Sequence, residues 1–292
     1  MRDYLTLIRV KHYIKNVLIF AALVFSGQLF VLEKARDCAI GFLAFCLISS
    51  VIYIVNDIKD KDKDRLHPTK CKRPIASGKI SVKAAIIVAV SCLVGFGICF
   101  IFIYNTVALL LVLTYVLINI LYSFGCKNIP LMDVSILVAG FLIRVVYGAA
   151  ITGIEVSSWL YLTVIALSFF MAFGKRRNEL KQTGSNDTRE VLKGYSMEFL
   201  DKSMYMCLAM ANTFYALWAI GSQTAGKDKK TIITVPIVLL ITLKYSLIIE
   251  NETSDGDPIE VLLRDKFLIV LCLLYALIML AILYMDRTGF GF

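Results

Sequence analysis

Residues 38–64 read CAIGFLAFCLISSVIYIVNDIKDKDKD, an apolar stretch that ends in a run of alternating lysine and aspartate. About 20 apolar residues in a helix cross a bilayer, so residues 38–56 are predicted to form a membrane span. The rest of the chain has the same character, because 59% of its 292 residues are hydrophobic and only 18% are charged. Its mean hydropathy of +0.76 is far above that of a soluble domain. Backbone polar groups must be hydrogen-bonded internally in lipid, so the spans are expected to be helices.

The predicted fold class is therefore an all-α integral membrane protein, a single polytopic domain over residues 1–292. Its apolar runs are separated by breaks rich in glycine, asparagine or proline. Two long polar loops, about 57–81 and 175–202, are expected to carry the chemistry. The nine predicted spans cover residues 14–32, 38–56, 82–103, 106–124, 131–152, 157–174, 203–222, 231–249 and 267–285.

The net charge of +9 does not indicate nucleic-acid binding, because most of the 31 Lys and Arg residues lie in alternate loops. This distribution follows the positive-inside rule. It predicts a multi-pass protein of the cell membrane with a cytoplasmic N-terminus, cytoplasmic polar loops and an outside C-terminus. The eight cysteines are scattered without metal-binding spacing and are interpreted as packing residues. The sequence leaves the oligomeric state open.

The aspartates that follow the second span are the strongest functional signal. On a continuous helix Asp57, Asp60 and Asp64 lie at i, i+3 and i+7 and share one face, whereas Asp62 falls nearly opposite. Three carboxylates on one face repel each other unless a cation lies between them. Mg²⁺ prefers oxygen ligands and bridges to substrate phosphates, so these residues with Asn56 predict a Mg²⁺–diphosphate site at the membrane edge.

Basic residues follow this acidic face closely. His67, Lys70 and Arg73 could pair directly with phosphate, since guanidinium and ammonium groups are its usual partners. The alternative is a solvated loop of mixed charge. That alternative fits the alternating lysines and Asp62 better than it fits the three aspartates on one face.

A second candidate site lies at the end of the sixth predicted span, where Lys175, Arg176 and Glu179 follow Gly174. These residues could bind phosphate. Lys175 and Glu179 could also form an ordinary i, i+4 helix pair, and positive charge at this position is expected from topology alone.

A third candidate site lies within the fifth predicted span. A buried arginine at a helix centre costs roughly 2.5–3.5 kcal/mol, so Arg144 is expected to face a polar cavity or a partner. Asp133 lies close to three turns earlier, on nearly the same face, and could be a ligand nearer the membrane surface. The alternative is a structural ion pair with another helix. Lesser candidates for substrate binding are Lys15, Asn16, Tyr122, Ser123, Lys127 and Tyr195.

The motif Asn56-Asp57-x-x-Asp60-x-x-x-Asp64, followed by His67-Pro68 and Arg73-Pro74, resembles the UbiA superfamily of intramembrane prenyltransferases. The resemblance implies nine transmembrane helices around a central cavity that opens to the cytoplasm. Further segments are similar to the decaprenyl-phosphate phosphoribosyltransferase branch of that superfamily. They are residues 12–16, 73–76, 122–125, 142–144, 174–179 and 261–265.

This branch resemblance implies a Mg²⁺-dependent transfer of phosphoribose from 5-phosphoribosyl 1-diphosphate (PRPP) to a polyprenyl phosphate lipid. Aromatic prenyltransferases of the superfamily carry a second aspartate-rich motif after the sixth span. Here Lys175 and Arg176 replace it, which suits an additional phosphate such as the 5-phosphate of PRPP. Two alternatives stay open: a prenyltransferase acting on an aromatic or alcohol acceptor, and a membrane transporter.

Overall fold

The computed structural model describes residues 2–66, 70–183, 190–221, 230–250 and 265–285, and every regular element in those ranges is helical. Eight helical segments there are long and apolar enough to cross a membrane. Short 3₁₀ helices, such as Lys70–Lys72 and Cys126–Asn128, connect some of the α-helices. The α-helices are α1 Arg2–Leu7, α2 Ala21–Phe25, α3 Leu32–Lys59, α4 Lys61–Arg65, α5 Val82–Phe102, α6 Thr106–Phe124, α7 Met132–Thr152, α8 Ser158–Thr183, α9 Met197–Gly221, α10 Val235–Glu250 and α11 Lys266–Leu280.

The eight membrane-length segments correspond to the second to ninth predicted spans. The first predicted span, 14–32, has a different structure: an 11-residue 3₁₀ helix, Val10–Phe20, leads into the five-residue α2. A 3₁₀ helix rises about 2.0 Å per residue and an α-helix about 1.5 Å, so the two together extend about 30 Å. That length matches the hydrocarbon core of a bilayer. The stretched segment from Val10 to Phe25 is therefore long enough to cross a bilayer, although it is not a long α-helix.

The sixth span is longer than the prediction. Helix α8 does not end at residue 174 but continues to Thr183. Lys175, Arg176 and Glu179 therefore lie on regular helical turns, where the i, i+3 spacing of Arg176 and Glu179 places them on one face. Part of the predicted 57–81 loop is likewise helical, because α3 continues to Lys59 and is followed by α4 and the 3₁₀ turn Lys70–Lys72.

The chain divides into two compact units. The first contains Met1–Val24, Gln28–Ser123 and Ile143–Glu155, and within it α3 packs most extensively against α5. The stretched first span crosses the end of α7 closely, because a Cβ on Gly148 would lie 1.9 Å from the carbonyl oxygen of Ile19. Glycine is therefore required at this crossing.

The first unit also has a small apolar core at the end that carries the aspartates. Leu7, Ile54, Ile75 and Ile80 are all buried there and pack together with Ala85. Leu7, Ile75 and Ile80 lie outside the membrane-length helices, so burying each of them from water stabilises the fold by about 1.5–3 kcal/mol. This core anchors α1 and the segment after Arg73 against the end of α3, and so positions the basic residues near the acidic ones.

The second unit contains Phe25–Gly27, Phe124–Leu142 and Val156–Phe292, and within it α8 packs most extensively against α9. Its apolar core includes Phe170, Phe173, Leu200 and Met204. Gly174 allows α8 to approach its neighbours, since a Cβ there would lie 2.9 Å from the Cδ1 atom of Ile249.

Candidate active site

The predicted acidic face spans a break between two helices. Helix α3 ends at Lys59, Asp60 occupies the junction, and α4 begins at Lys61. The i→i−4 hydrogen bonds continue through the junction, because Asp60 N donates to Asn56 O at 2.9 Å and Asp64 N donates to Asp60 O at 2.8 Å. The helical register is therefore kept across the break. Asp57 and Asp64 are both buried, as a shared inward face requires.

Two arginines neutralise these buried carboxylates. Arg73 Nη1 donates to Asp57 Oδ1 at 3.1 Å and to Asp64 Oδ2 at 2.7 Å, so one nitrogen lies between the two acids. Arg9 Nη2 donates to Asp57 Oδ1 at 2.6 Å. We call Arg9, Asp57, Asp64 and Arg73 the Asp57 cluster. Its two negative and two positive charges balance.

Arg9 is the member of this cluster that the sequence interpretation missed. It is a basic residue before the first span, and its position alone does not distinguish it from a topology signal. The structure places it between α1 and the first 3₁₀ helix in the left-handed conformation, with φ 56° and ψ 48°. Such a backbone costs of order 1 kcal/mol for a non-glycine residue and is often found at functional sites. The guanidinium also lies 4.6 Å from the ring centroid of Tyr53.

Asn56 and Ser123, both predicted as site residues, contact each other. Ser123 Oγ lies 2.8 Å from Asn56 Oδ1 and 2.9 Å from the carbonyl oxygen of Asn119. A hydroxyl has one proton, so it donates to one of these acceptors at a time. Lys59 Nζ donates to the carbonyl oxygen of Ser123 at 3.1 Å. The end of α6 thereby orients the amide that precedes Asp57.

The donor types around Asp57 fit a Mg²⁺ ion, although they do not form a closed protein cage. Within the described ranges no group of three or more His, Cys, Asp or Glu side chains is close enough to hold a metal. Mg²⁺ is usually bound through one or two carboxylates and completed by waters and substrate phosphates. Asp57 and Asp64 supply two such carboxylates, and the Arg73 guanidinium is a cation that already lies between them. An open site of this kind suits a metal that arrives with a phosphate ligand.

The basic residues after α4 are only partly described. Lys70 is half-buried and begins the 3₁₀ turn that leads to Arg73, whose N–H donates to Lys70 O at 2.9 Å. His67 lies outside the described residues. Tyr122, next to Ser123, is half-buried near the end of α6, and Lys127 is half-buried in the 3₁₀ helix Cys126–Asn128.

Arg144 is buried in the first unit within a polar and aromatic pocket. Its Nε donates to Asn16 Oδ1 at 2.7 Å, and its Nη2 donates to Tyr115 Oη at 2.9 Å. The guanidinium carbon lies 5.2 Å from the ring centroid of Phe45. The expectation that Arg144 has polar partners is confirmed, and one of them is the predicted residue Asn16. Lys15, beside it on the stretched first span, is half-buried.

Asp133 belongs to a separate cluster in the second unit. Its Oδ2 accepts from Arg176 Nε at 2.5 Å, and its Oδ1 accepts from Tyr195 Oη at 2.7 Å. Arg176 Nη1 also donates to Glu179 Oε2 at 2.7 Å. Four predicted site residues, Asp133, Arg176, Glu179 and Tyr195, thus form one network, which we call the Asp133 cluster. Lys175, also predicted, is half-buried on the adjacent position of α8.

Tyr195 completes the Asp133 cluster through its hydroxyl. It accepts from the backbone N–H of Leu131 at 2.6 Å while donating to Asp133. Burial, reinforced by the hydrogen bond to the Asp133 carboxylate, raises the pKa of Tyr195 to about 12. The phenol is therefore neutral at physiological pH and acts as a donor. The side chains of Asp133 and Arg176 are 0% and 1% exposed, so this central ion pair is closed to solvent, whereas Glu179 at the edge of the network is 24% exposed.

Comparison with known proteins identifies the family. The model of the UbiA prenyltransferase family matches residues 17–256. The chain belongs to the UbiA prenyltransferase family. This result confirms the resemblance carried by the Asn56–Asp64 motif and the predicted all-helical membrane fold. It makes the chain a transferase, and the transporter alternative is set aside.

Similar UbiA-family proteins include two curated relatives named decaprenyl-phosphate phosphoribosyltransferase. The one from Corynebacterium glutamicum is 34% identical over 287 residues, which cover 95% of this chain and 85% of that relative. The one from Mycolicibacterium smegmatis is 32% identical over 288 residues, which cover 91% of this chain and 87% of that relative. A UbiA homolog from Archaeoglobus fulgidus, solved bound to DMAPP and Mg²⁺, shares the fold with a TM-score of 0.68 and 22% identity. That match covers 96% of this chain and 99% of the homolog.

Proposed function

We propose that this UbiA-family transferase moves the 5-phosphoribosyl group of PRPP to a polyprenyl phosphate lipid and releases diphosphate. The observation that carries the proposal is the Asp57 cluster, which combines buried carboxylates for a divalent cation with partly exposed arginines for phosphate. The similarity to two relatives named decaprenyl-phosphate phosphoribosyltransferase favours these two substrates over others of the family.

In this proposal Asn56, Asp57, Asp60 and Asp64 would hold a Mg²⁺ ion beside the diphosphate end of PRPP. A bound Mg²⁺ would neutralise negative charge on the leaving diphosphate. The carboxylates of Asp57 and Asp64 fix the position of this end, because the helix register and the small apolar core hold both of them in place. Ser123 keeps the Asn56 amide oriented through its hydroxyl.

The chemical step is a displacement at C1 of the ribose. A phosphate oxygen of the polyprenyl phosphate donates a lone pair and forms the new O–C1 bond. The C1–O bond to diphosphate breaks, and its electron pair leaves with diphosphate. A phosphate monoester is already anionic at neutral pH, so no general base is needed. In-line attack inverts the anomer, and catalysis rests on positioning and charge stabilisation.

The remaining predicted residues are proposed to bind or position the two substrates. Arg144 and Lys175 are proposed phosphate partners. Arg176 is proposed to act mainly through Glu179 and Asp133, since its Nε and Nη1 already donate to carboxylates. We retain as substrate-binding candidates Lys15, Asn16, His67, Lys70, Arg73, Tyr122, Ser123 and Lys127, whereas Tyr195 is proposed to act through Asp133.

We also propose that the protein lies in the cell membrane with its N-terminus and the Asp57 cluster in the cytoplasm, where PRPP is available. The excess of Lys and Arg in the loops of that side supports this orientation. Cysteine labelling in intact cells tests it, because a cysteine placed at Ser77 should react with a membrane-impermeant reagent only after lysis.

One alternative keeps a specific basis. The fold is shared with a homolog solved with DMAPP, a prenyl diphosphate, so transfer of a prenyl group to an aromatic or alcohol acceptor is the second candidate. The two functions differ in the group that carries the diphosphate. In the first it is on the sugar, and in the second it is on the lipid.

The deciding experiment measures diphosphate release by the purified protein with Mg²⁺. PRPP and prenyl diphosphates are each combined with polyprenyl phosphate and with aromatic acceptors. We expect release only from PRPP with polyprenyl phosphate. Turnover of a prenyl diphosphate with indifference to PRPP would overturn the proposal.

Variants of the aspartate run provide the matched control. Asp57→Asn and Asp60→Asn should lower the rate of diphosphate release at least about 100-fold, since each removes charge that holds the leaving group. Asp62→Asn should leave the rate unchanged, because the Asp62 side chain is 91% exposed and pairs with Arg65 at 3.6 Å. Near-normal turnover of Asp57→Asn would refute the role given to that residue.

A further inference from the structure

Arg73 occupies an unusual position within the Asp57 cluster. A single atom, Nη1, is hydrogen-bonded to both buried acids, at 3.1 Å from Asp57 Oδ1 and 2.7 Å from Asp64 Oδ2. Both carboxylate side chains are at most 5% exposed. Two buried like charges that face one point need a cation there, because their repulsion is weakly screened by solvent. In this structure the side chain of Arg73 is that cation.

Arg9 has a different relation to the same acids. It contacts Asp57 only, at 2.6 Å, and its guanidinium lies over the ring of Tyr53. The buried Leu7 of α1, two residues before Arg9, packs in the apolar core. Arg9 is therefore held by contacts that do not involve the second carboxylate, whereas Arg73 joins the two acids.

The point between Asp57 and Asp64 is also where a divalent cation would be held by both carboxylates. The Arg73 side chain is 29% exposed, so it reaches solvent and is not enclosed like the two carboxylates. A guanidinium pairs with phosphate as readily as with carboxylate and does so through the same planar donors. Its loss of two carboxylate partners can therefore be offset by a phosphate partner nearby.

We propose that Arg73 is an exchangeable counterion: it bridges Asp57 and Asp64 when no metal is bound and transfers to the diphosphate of the donor when the metal takes its place. This inference rests on the proposed function for the identity of the diphosphate only. The competition between Arg73 and the metal for the two carboxylates is independent of which substrate carries the diphosphate. The exchange keeps the buried acids neutralised in both states.

The proposal predicts that removal of the Arg73 charge has opposite effects on metal binding and on stability. In Arg73→Gln, Mn²⁺ used as a probe for the site, without any substrate, should bind about 5-fold or more tightly, because its competitor is gone. The melting temperature in EDTA should fall, because two buried carboxylates then face each other. Saturating Mg²⁺ should restore the melting temperature to that of the wild-type protein. The KM for PRPP should rise.

Two further variants separate this exchange from ordinary structural roles. Arg73→Lys keeps the charge and should restore most of the melting temperature in EDTA, with Mn²⁺ affinity near that of the wild type. Arg36→Gln is the control, because Arg36 is an exposed arginine of the same unit that pairs with its neighbour Asp37 at 2.9 Å. Arg36→Gln should change neither the melting temperature in EDTA nor the Mn²⁺ affinity.

Three outcomes would overturn the proposal. Weaker or unchanged Mn²⁺ binding in Arg73→Gln would show that Arg73 does not compete with the metal. A loss of melting temperature that Mg²⁺ does not reverse would show a purely structural arginine. The same Mn²⁺ affinity in Arg73→Lys as in Arg73→Gln would show that the charge is irrelevant. The titrations contain no PRPP, so their result does not depend on the outcome of the phosphoribosyl-transfer assay.

Discussion

The Asp57 cluster and the Asp133 cluster are built from the same residue types but differ in burial and in hydrogen-bond completeness. In the Asp133 cluster the arginine is 1% exposed and both carboxylate oxygens of Asp133 have donors. In the Asp57 cluster the arginine side chains are 20% and 29% exposed. A buried, saturated network fixes a structure, whereas partly exposed donors can exchange partners. The comparison supports the proposal that arginine and aspartate bind ligands in the first unit, whereas in the second unit they form a structural joint, meaning an ion-pair network that holds helices together.

The sharpest test of this comparison removes one acid from the closed network. Asp133→Asn should lower the free energy of unfolding by about 3–5 kcal/mol, because Arg176 keeps a buried charge without its main counterion. SDS titration of the protein in mixed micelles measures this loss. The affinity of the Asp57 cluster for Mn²⁺ should not change.

Glu198→Gln is the matched control for Asp133→Asn. Glu198 pairs with Lys202 at 2.6 Å in the same unit, and both side chains are about three-quarters exposed. Pairs at such exposure typically contribute about 1 kcal/mol or less. If Asp133→Asn were no more destabilising than Glu198→Gln, the Asp133 cluster would not be the structural joint described here.

The reciprocal change in the Asp57 cluster should affect ligand binding instead of stability. Asp64→Asn should weaken Mn²⁺ binding about 100-fold, or about 2.7 kcal/mol, since one of two carboxylate ligands is lost. The free energy of unfolding in EDTA should change little, because Arg73 keeps Asp57 as a partner. Titration calorimetry and SDS unfolding on the same preparation measure both quantities. Asp62→Asn should change neither the Mn²⁺ affinity nor the free energy of unfolding. A large loss of stability in Asp64→Asn would contradict the assignment of Asp64 as a metal ligand.

Much of the fold follows from the sequence, because apolar length and the helical period are local properties. The second to ninth spans agree with the prediction. Asp57 and Asp64 share one inward face, as the helical spacing predicts, whereas Asp60 is only half-buried at the break between α3 and α4. The first span was predicted by its apolar length, but its 3₁₀ geometry could not be, since nothing in residues 10–20 specifies hydrogen bonds to i−3 over i−4. The extension of α8 to Thr183 cannot be predicted from its charged residues after 174, because such residues are equally typical of a cytoplasmic loop.

The sequence could not predict which side chains of different helices contact each other. Helical spacing relates only residues of the same helix, and it therefore pairs Asp133 with Arg144. In the structure Asp133 instead pairs with Arg176 on α8, 43 positions away. Arg9 contacts Asp57, which lies 48 positions later in the sequence. The left-handed backbone of Arg9 could not be predicted either, because left-handed positions are usually signalled by glycine and this one is arginine. Such pairs depend on tertiary packing, which single-sequence patterns do not encode.

A third prediction concerns the hydroxyl that completes the Asp133 cluster. Tyr195→Phe should lower the free energy of unfolding by about 1–2 kcal/mol, because it removes one donor from Asp133 and one acceptor from the Leu131 N–H. Diphosphate release per folded molecule should be less affected than in Asp57→Asn.

The same variant gives a pH test. The pKa of Tyr195 is raised from 10.0 to about 12 by burial and by its hydrogen bond to Asp133, so folding favours the protonated phenol. Its contribution to stability is fully present below pH 10 and is lost as the pH rises from 10 towards 12. The stability difference between wild type and Tyr195→Phe should therefore shrink above pH 10. A constant difference from pH 8 to pH 11 would show that the hydroxyl does not carry this contribution.

The smallest expected effect concerns the corresponding hydroxyl in the first unit. Ser123→Ala removes a hydrogen bond of 2.8 Å to Asn56 Oδ1, but Asn56 keeps its place on α3 and the Ser123 proton is shared with Asn119 O. One such bond is worth about 0.5–1 kcal/mol, so Mn²⁺ affinity should fall only about 2- to 5-fold, with stability nearly unchanged. Ser77→Ala is the control, because Ser77 Oγ bonds only to Pro74 O in the described residues. If Ser123→Ala destabilised the protein as much as Tyr195→Phe does, the hydroxyl would belong to a structural joint, and the contrast between an exchangeable ligand site and a closed network would not hold.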